Sequence, residues 1–104
     1  MDQNKIDRAP AALLAGVDTG EYDIDTSLEE LRELAASAGY ETAGVMTQRR
    51  EEPDAATCLG AGRVEELARF VENSGAEAVI FDHELTPMQI RNLERLLDCP
   101  VIDR

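Results

Sequence analysis

Lysine is almost missing from this sequence: Lys5 stands alone beside nine arginines. Cysteine is scarce as well. Cys58 and Cys99 lie far apart, in no C-x-x-C pair and away from the single histidine, His83. A structural zinc site needs about four ligands, usually in paired spacings, so both thiols read as small buried hydrophobes. No apolar run approaches the roughly 18 residues of a membrane span. The opening MDQNKIDRAP has no apolar stretch of the kind a secretory signal carries. The expected compartment is the cytoplasm, with no membrane partner. Basic charge as a whole is short, since 10 Lys and Arg face 22 Asp and Glu, for a net charge of −12. Neutralising phosphate needs clustered cations, which argues against bare nucleic acid as a general partner. An acid-rich, lysine-poor chain with much Ala and Thr suggests adaptation to molar intracellular salt.

What is present fits one domain. A chain of 104 residues can bury a core without disulfides or metals. Leu, Ile, Val and Phe together supply only 24 of those residues, so the core is expected to be compact and thinly supplied. Residues 1–9 read as a flexible N-terminus and residues 10–104 as the domain.

Apolar periodicity gives the order β-α-β-α-β-α-β. Ala11–Val17 (AALLAGV) is a buried strand that stops at Asp18-Thr19-Gly20, and an acidic loop follows through Asp25. TSLEELRELAASAG is a helix with Leu28, Leu31, Leu34, Ala35 and Ala38 on one stripe and Gly39 as its stop. Ser27 and Glu30 fit an S-x-x-E capping box, with Asp25 or Thr26 as other candidates for the cap. Tyr40–Thr47 is the second strand, Gln48–Thr57 a charged loop, and Cys58-Leu59 a short apolar step. A second helix is expected from about Arg63 to Asn73, and a third strand over Ala76–Asp82. The third helix opens with Thr86 as cap, Pro87 at its first position and Gln89 closing a capping box, with Leu85 and Ile90 placed as a hydrophobic staple. Pro100–Asp103 is the fourth strand. Strands alternating with helices imply an α/β domain with a mainly parallel four-stranded sheet, joined by right-handed crossovers.

In such a sheet the strand C-termini and helix N-termini share one edge, where ligands gather. That edge collects Asp18, then Gln48-Arg49-Arg50, then Gly60-Ala61-Gly62-Arg63, then Asp82-His83-Glu84. Gly60, Gly62 and Arg63 open a helix, and the free N–H groups there can hold a phosphate. The nucleotide motifs G-x-G-x-x-G and G-x-x-x-x-G-K-S/T are both absent. Asp18 and Asp82 end the first and third strands, and a carboxylate pair so placed can bind Mg2+. His83 has no Ser or Cys nucleophile in an evident constellation and reads as a solvated loop residue. Gln48-Arg49-Arg50 contains the only adjacent Arg pair, a local cationic spot suited to RNA phosphate.

Three stretches, SLEELRELAASAG, TQRREEPDAATCLGAGRVEEL and VIFDHELTPMQIRNLERLL, are followed by a closing VIDR. Together they resemble the N-terminal domain of the HflX family of ribosome-associated GTPases. The Thr-Gln-Arg-Arg, Gly-x-Gly and Arg-Asn-Leu-Glu blocks are specific as a set. Arg63 departs from the family's usual Lys, and His83 from its usual small polar or acidic residue. The resemblance implies that this stretch is a piece of a longer protein, followed by a helical segment and a GTP-binding domain. The implied parent hydrolyses GTP with Mg2+ and binds the large ribosomal subunit, in ribosome splitting or rescue. This stretch would then need no cofactor and do no catalysis. Its role would be ribosome docking or regulation, with Gln48, Arg49, Arg50 and Arg63 facing RNA. A second reading, also implied by some family members, is adenine-nucleotide binding at Gly60–Arg63. A third is a receiver-like regulatory domain using Asp18 and Asp82, although the acidic pair directly after the first strand and the later Lys of that pattern are missing.

Overall fold

Small and branched apolar residues over Ala11–Asp18 form strand β1, whose middle six residues are all buried. The computed structural model describes residues 9–104. The expected flexible N-terminus, apart from residue 9, lies outside the described residues. Strands β2 (Glu41–Arg49), β3 (Ala78–Phe81) and β4 (Val101–Ile102) pair with β1 and with one another in the order β2-β1-β3-β4, all parallel. β1 and β3 are central and read as continuous apolar runs. β2 is an edge strand, and its exposure alternates residue by residue from Glu41 to Met46.

Three helices complete the domain: α1 (Ile24–Ser37), α2 (Ala61–Ser74) and α3 (Pro87–Leu97). The chain moves one way along the sheet from β1 to β2 and the other way from β2 through β3 to β4. Right-handed crossovers therefore set α1 on one face and α2 and α3 on the other. Leu13, Ala15 and Val17 point from β1 into the α2/α3 core with Leu59, Leu67, Phe81 and Leu93. Ala12 and Leu14 point the opposite way, against Leu28, Leu31 and Ala35 of α1. Burial of each such Leu or Phe stabilises the fold by about 1.5–3 kcal/mol.

Several boundaries differ from expectation. α1 begins earlier than its apolar stripe suggests: Asp23 is the cap, its carboxylate accepting from Asp25 N–H at 3.1 Å and Thr26 N–H at 3.3 Å. The early start brings Ile24 onto the sheet beside Gly16, so the Ser27–Glu30 box falls inside the helix. β2 runs on through Gln48 and Arg49, which pair with Val17 and Asp18 instead of starting a loop. α2 starts at Ala61, two residues early. The capping box of α3 is as expected, with Thr86 and Gln89 exchanging bonds of 2.9 and 3.1 Å.

One close approach fixes how α2 lies on β2. The β1–β2 register slips between Ala12 and Leu13, leaving Ala43 bulged and Gly44 opposite Leu13. A Cβ on Gly44 would stand 2.4 Å from the ring edge of Phe70. Only glycine admits that ring.

Candidate functional site

All parallel strands end at one edge, and α1, α2 and α3 begin there. The edge divides into an arginine-bearing half around α2, where Arg49, Arg50 and Arg63 stand among Glu51, Glu52, Asp54 and Glu66, and an acidic half around β3.

The arginine-bearing half is built from β2 and the loop after it. Side chains alternate along β2, so Gln48 points to the α2 side and Arg49 to the other. Gln48 Oε1 accepts from Gly60 N–H at 2.8 Å. The Arg50 guanidinium lies over the same glycine, where a Cβ would meet it at 2.9 Å, and its Nε donates to Glu52 O at 3.1 Å. Arg49 is exposed and extends toward Gly20. The adjacent arginines therefore diverge: Arg50 joins Gln48 and Gly60, and Arg49 does not. Arg63 lies one turn into α2 and pairs with Glu66 at 3.2 Å.

Gly60 caps α2 with no side-chain hydrogen bond, and the space beside Gly62 is open. The first N–H groups of a helix lack intrahelical partners and carry the positive end of its dipole. The loop leading into it is held firmly. Asp54 and Cys58 exchange backbone bonds of 2.8 Å each, and the Asp54 carboxylate accepts from Ala56 N–H and Thr57 N–H at 2.8 and 3.1 Å. Those backbone donors hold the Asp54 carboxyl below its ordinary range. From α3, Gln89 Nε2 donates to Asp54 O at 2.8 Å and Asn92 Nδ2 to Ala56 O at 3.0 Å. The D-x-x-T spacing of Asp54 and Thr57 was a readable turn signal that the sequence reading missed. Cys58 is buried as expected, with φ at +64°, and burial pushes its thiol up to about 11. It is not a nucleophile at neutral pH.

The acidic half centres on Asp82, whose carboxylate is fully buried. Its counter-charge is Arg104, at 3.2 Å, while a second nitrogen of the same guanidinium reaches Glu30 on α1 at 3.0 Å. The Asp82 contact is an ion pair without an aligned hydrogen bond on either carboxylate oxygen. Asp18 turns outward and accepts from Gly20 N–H at 3.0 Å. Among the described residues, no three of His, Cys, Asp and Glu converge as a metal set would. The Tyr22 hydroxyl donates to Val17 O at 3.4 Å, and its pKa is raised by burial first and then by Asp82 and Asp18.

His83 is not a solvated loop residue. It is half-buried, and its Nε2 accepts from Val17 N–H at 2.8 Å. β3 ends at Phe81, opposite Ala15, so its ladder does not reach Val17, and the imidazole takes that N–H. Burial lowers the His83 pKa against the opposing pull of Asp82. The ring is the neutral tautomer with its proton on Nδ1. Sequence alone gave no signal for this bond, which depends on β3 being four residues long.

Residues 25–104 match the family model described as GTP-binding GTPase N-terminal. A GTPase HflX of Caldanaerobacter subterraneus subsp. tengcongensis is 42% identical over 104 residues, covering 100% of this chain and 24% of that protein. A GTPase HflX of Escherichia coli is 47% identical over 77 residues, covering 74% of this chain and 18% of that protein. The chain thus spans about a quarter or less of these relatives. Crystal structures of two mutation variants of SsGBP share the fold, with TM-scores of 0.68 and 0.67 at 18% identity, over 90% of this chain and 28% of theirs. No helix among the described residues is long and apolar enough to cross a membrane.

Proposed function

The chain belongs to the GTP-binding GTPase N-terminal family, as the N-terminal domain of an HflX-type protein, and from that premise we propose that it docks a longer, cytoplasmic GTPase onto the large ribosomal subunit. The longer protein would hydrolyse GTP with Mg2+ and act in ribosome splitting or rescue. The GTP chemistry belongs to the rest of that protein, because these 104 residues contain no G-x-x-x-x-G-K-S/T loop. The observation that carries the docking reading is the set of three arginines at this sheet edge, which offsets Glu51, Glu52 and Asp54 beside it. In a chain of net charge −12, Arg50 and Gln48 flank a helix start whose glycine cap supplies no side-chain hydrogen bond, with Arg63 in the first turn and Arg49 on the adjoining surface. Backbone N–H groups, a guanidinium and an amide are the donors that grip RNA phosphates and sugars.

Replacing Arg49 and Arg50 by Glu in the full-length protein tests it. Co-sedimentation with large subunits should fall about tenfold or more, with a shallower salt dependence because phosphate contacts are lost. Circular dichroism should be unchanged, since neither arginine belongs to the core. Undiminished co-sedimentation would remove the pair from the interface.

The open space beside Gly62 also favours a second reading, an adenine nucleotide whose phosphates sit on Gly60, Gly62 and Arg63. A third reading is a cation at Asp18 and Asp82, which has Arg104 to displace. Titration calorimetry of the 104-residue chain, first with Mg2+ alone and then with ATP, separates them. Heat with Mg2+ alone supports the cation, heat only with ATP supports the nucleotide, and silence at millimolar ligand dismisses both.

A further inference from the structure

β4 is an edge strand of two residues, Val101 and Ile102, paired with Val79 and Ile80 of β3. Its faces alternate. Val101 is buried in the α2/α3 core, and Ile102, 37% exposed, lines an open groove beside α1 with Leu31, Leu34 and Ile80. The alternation continues past the strand. Asp103 turns to the α3 side, where its Oδ2 accepts from Leu85 N–H at 3.0 Å. Arg104 turns to the α1 side, where it meets the buried Asp82 carboxylate and Glu30.

A strand this short holds its register weakly. A slip of one residue would move Ile102 into the place of Val101 and Asp103 into the place of Ile102. The link from α3, residues 98–100, gains a residue in that slip and has none to spare for the opposite one. Apolar burial hardly resists it. Ile replaces Val in the core at the cost of one methylene, and the position given up is already open to solvent. Backbone bonding hardly resists it either. Glu94 Oε2 accepts from Val101 N–H at 3.0 Å, and the N–H of residue 102 would take that place. The order of the two charges is what forbids the slip. One residue of shift turns every side chain to the other face. Arg104 leaves Asp82, and Asp103 arrives on the face of Asp82. The Asp82 carboxylate, fully buried with neither oxygen hydrogen-bonded, then meets a second carboxylate in place of a guanidinium. Leu85 N–H loses its acceptor and faces the guanidinium of Arg104, donor against donor. Stranding a buried charge costs far more than an exposed pair gains.

We propose that Asp82 is the register key of β4: it accepts the strand only where Arg104, and not Asp103, lies on its face, while Leu85 N–H checks the opposite face. The key selects one alignment and adds little net stability, because a buried ion pair can be replaced by apolar groups at small loss. In the longer protein that the docking reading requires, the key also aims the chain leaving β4. One residue of slip shifts that chain by about 3.3 Å and reverses its faces.

Nuclear Overhauser contacts of Ile80 in the 104-residue chain test the key, independently of ribosome docking. The native cross-strand contact is to Ile102. Asp103→Arg with Arg104→Asp inverts the two charges at constant composition. β4 should then slip by one residue, so that the Ile80 contact moves to position 103 and a carboxylate at position 104 meets Leu85 N–H. A contact that stays at Ile102 overturns the proposal, whatever the Tm. Asp82→Val with Asp103→Ala and Arg104→Met removes the key altogether. Tm should stay within about 5 °C, and Val101 and Ile102 should each give two sets of signals, one for each register. A single native set overturns the proposal. Loss of the fold in this triple variant overturns it too, because the three residues would then hold the domain together and not merely align one strand. Where the inverted chain does not fold, the triple variant decides alone.

Discussion

Among the described residues, fourteen are buried together on the α2/α3 face of the sheet and seven on the α1 face. The richer face contains Phe81, Leu59, Leu67 and Leu93, each fully enclosed, and its loop is tied to α3 by Gln89 and Asn92. The poorer face has Ala12, Ala35 and Ala78 among its seven, and a groove beside its one helix. Charge follows the same division. From Asp18, the last residue of β1, to Glu33 there are seven carboxylates against one base, Arg32, and the other six lie on α1 or the loop leading to it. One face is held by apolar burial. The other carries a thin core under a dense negative surface, where solvent conditions and neighbouring segments have the most leverage.

The sharpest way to break this comparison is a matched pair of truncations. Leu67→Ala should cost about 2–5 kcal/mol in urea unfolding, because it opens a cavity in an enclosed core. Leu34→Ala, half in solvent, should stay within about 0.5 kcal/mol. Equal losses would mean that the faces are built alike.

Salt should act next, and through the acidic face. Raising KCl from about 0.1 M to 1 M shortens the screening length from roughly 10 Å to 3 Å, so neighbouring carboxylates cease to repel. Tm should rise on the order of 5 °C, most of it below about 1 M, with NaCl acting alike. Glu29→Gln with Glu33→Gln should reduce the rise. A flat or falling melt would remove both the repulsion and the adaptation to salt that the composition suggests.

The smallest effect concerns the edge shared by both faces. His83 accepts a hydrogen bond that its protonated form cannot accept, and its folded pKa lies below the unfolded value near 6.5. The unfolded chain therefore binds the extra proton first. The contribution is fully present above about pH 6.5 and is lost as pH falls through the unfolded pKa toward the folded one. His83→Phe, which removes the acceptor, should cost about 1 kcal/mol at pH 8 and progressively less toward pH 5. A cost independent of pH would show that the imidazole acts by packing alone.

Most of this architecture was legible in the sequence, for reasons that particular residues make plain. The Thr86-Pro87-Gln89 start of α3 and the Gly39 stop of α1 are local devices, each complete within a few residues. The start of α1 was missed because its cap, Asp23, sits in an acidic stretch where any of several carboxylates fits. The informative residue was Ile24, lone and apolar, and it declares itself only against Gly16 of β1. The candidate edge was legible as topology, since parallel strands bring Asp18, Gln48, Gly60 and Asp82 to one side. Its pairings were not. The divergence of Arg49 from Arg50 needs the true end of β2, and the Asp82–Arg104 ion pair joins residues brought together only by the parallel pairing of β3 with β4.

The ring of Phe70 over Gly44 has a consequence for how this sequence can change over time. The two positions form a single lock. Any side chain at 44 strikes an aromatic ring at 70, so that change is closed until residue 70 has first become smaller. The reverse order is open, because Phe70→Leu leaves only a partly filled space on a partly buried flank. Lineages of this domain are therefore expected to travel in one direction: residue 70 shrinks, residue 44 then gains a Cβ, and the aromatic cannot return. A Gly44→Ala library screened for folded survivors should recover second changes at position 70 before any other.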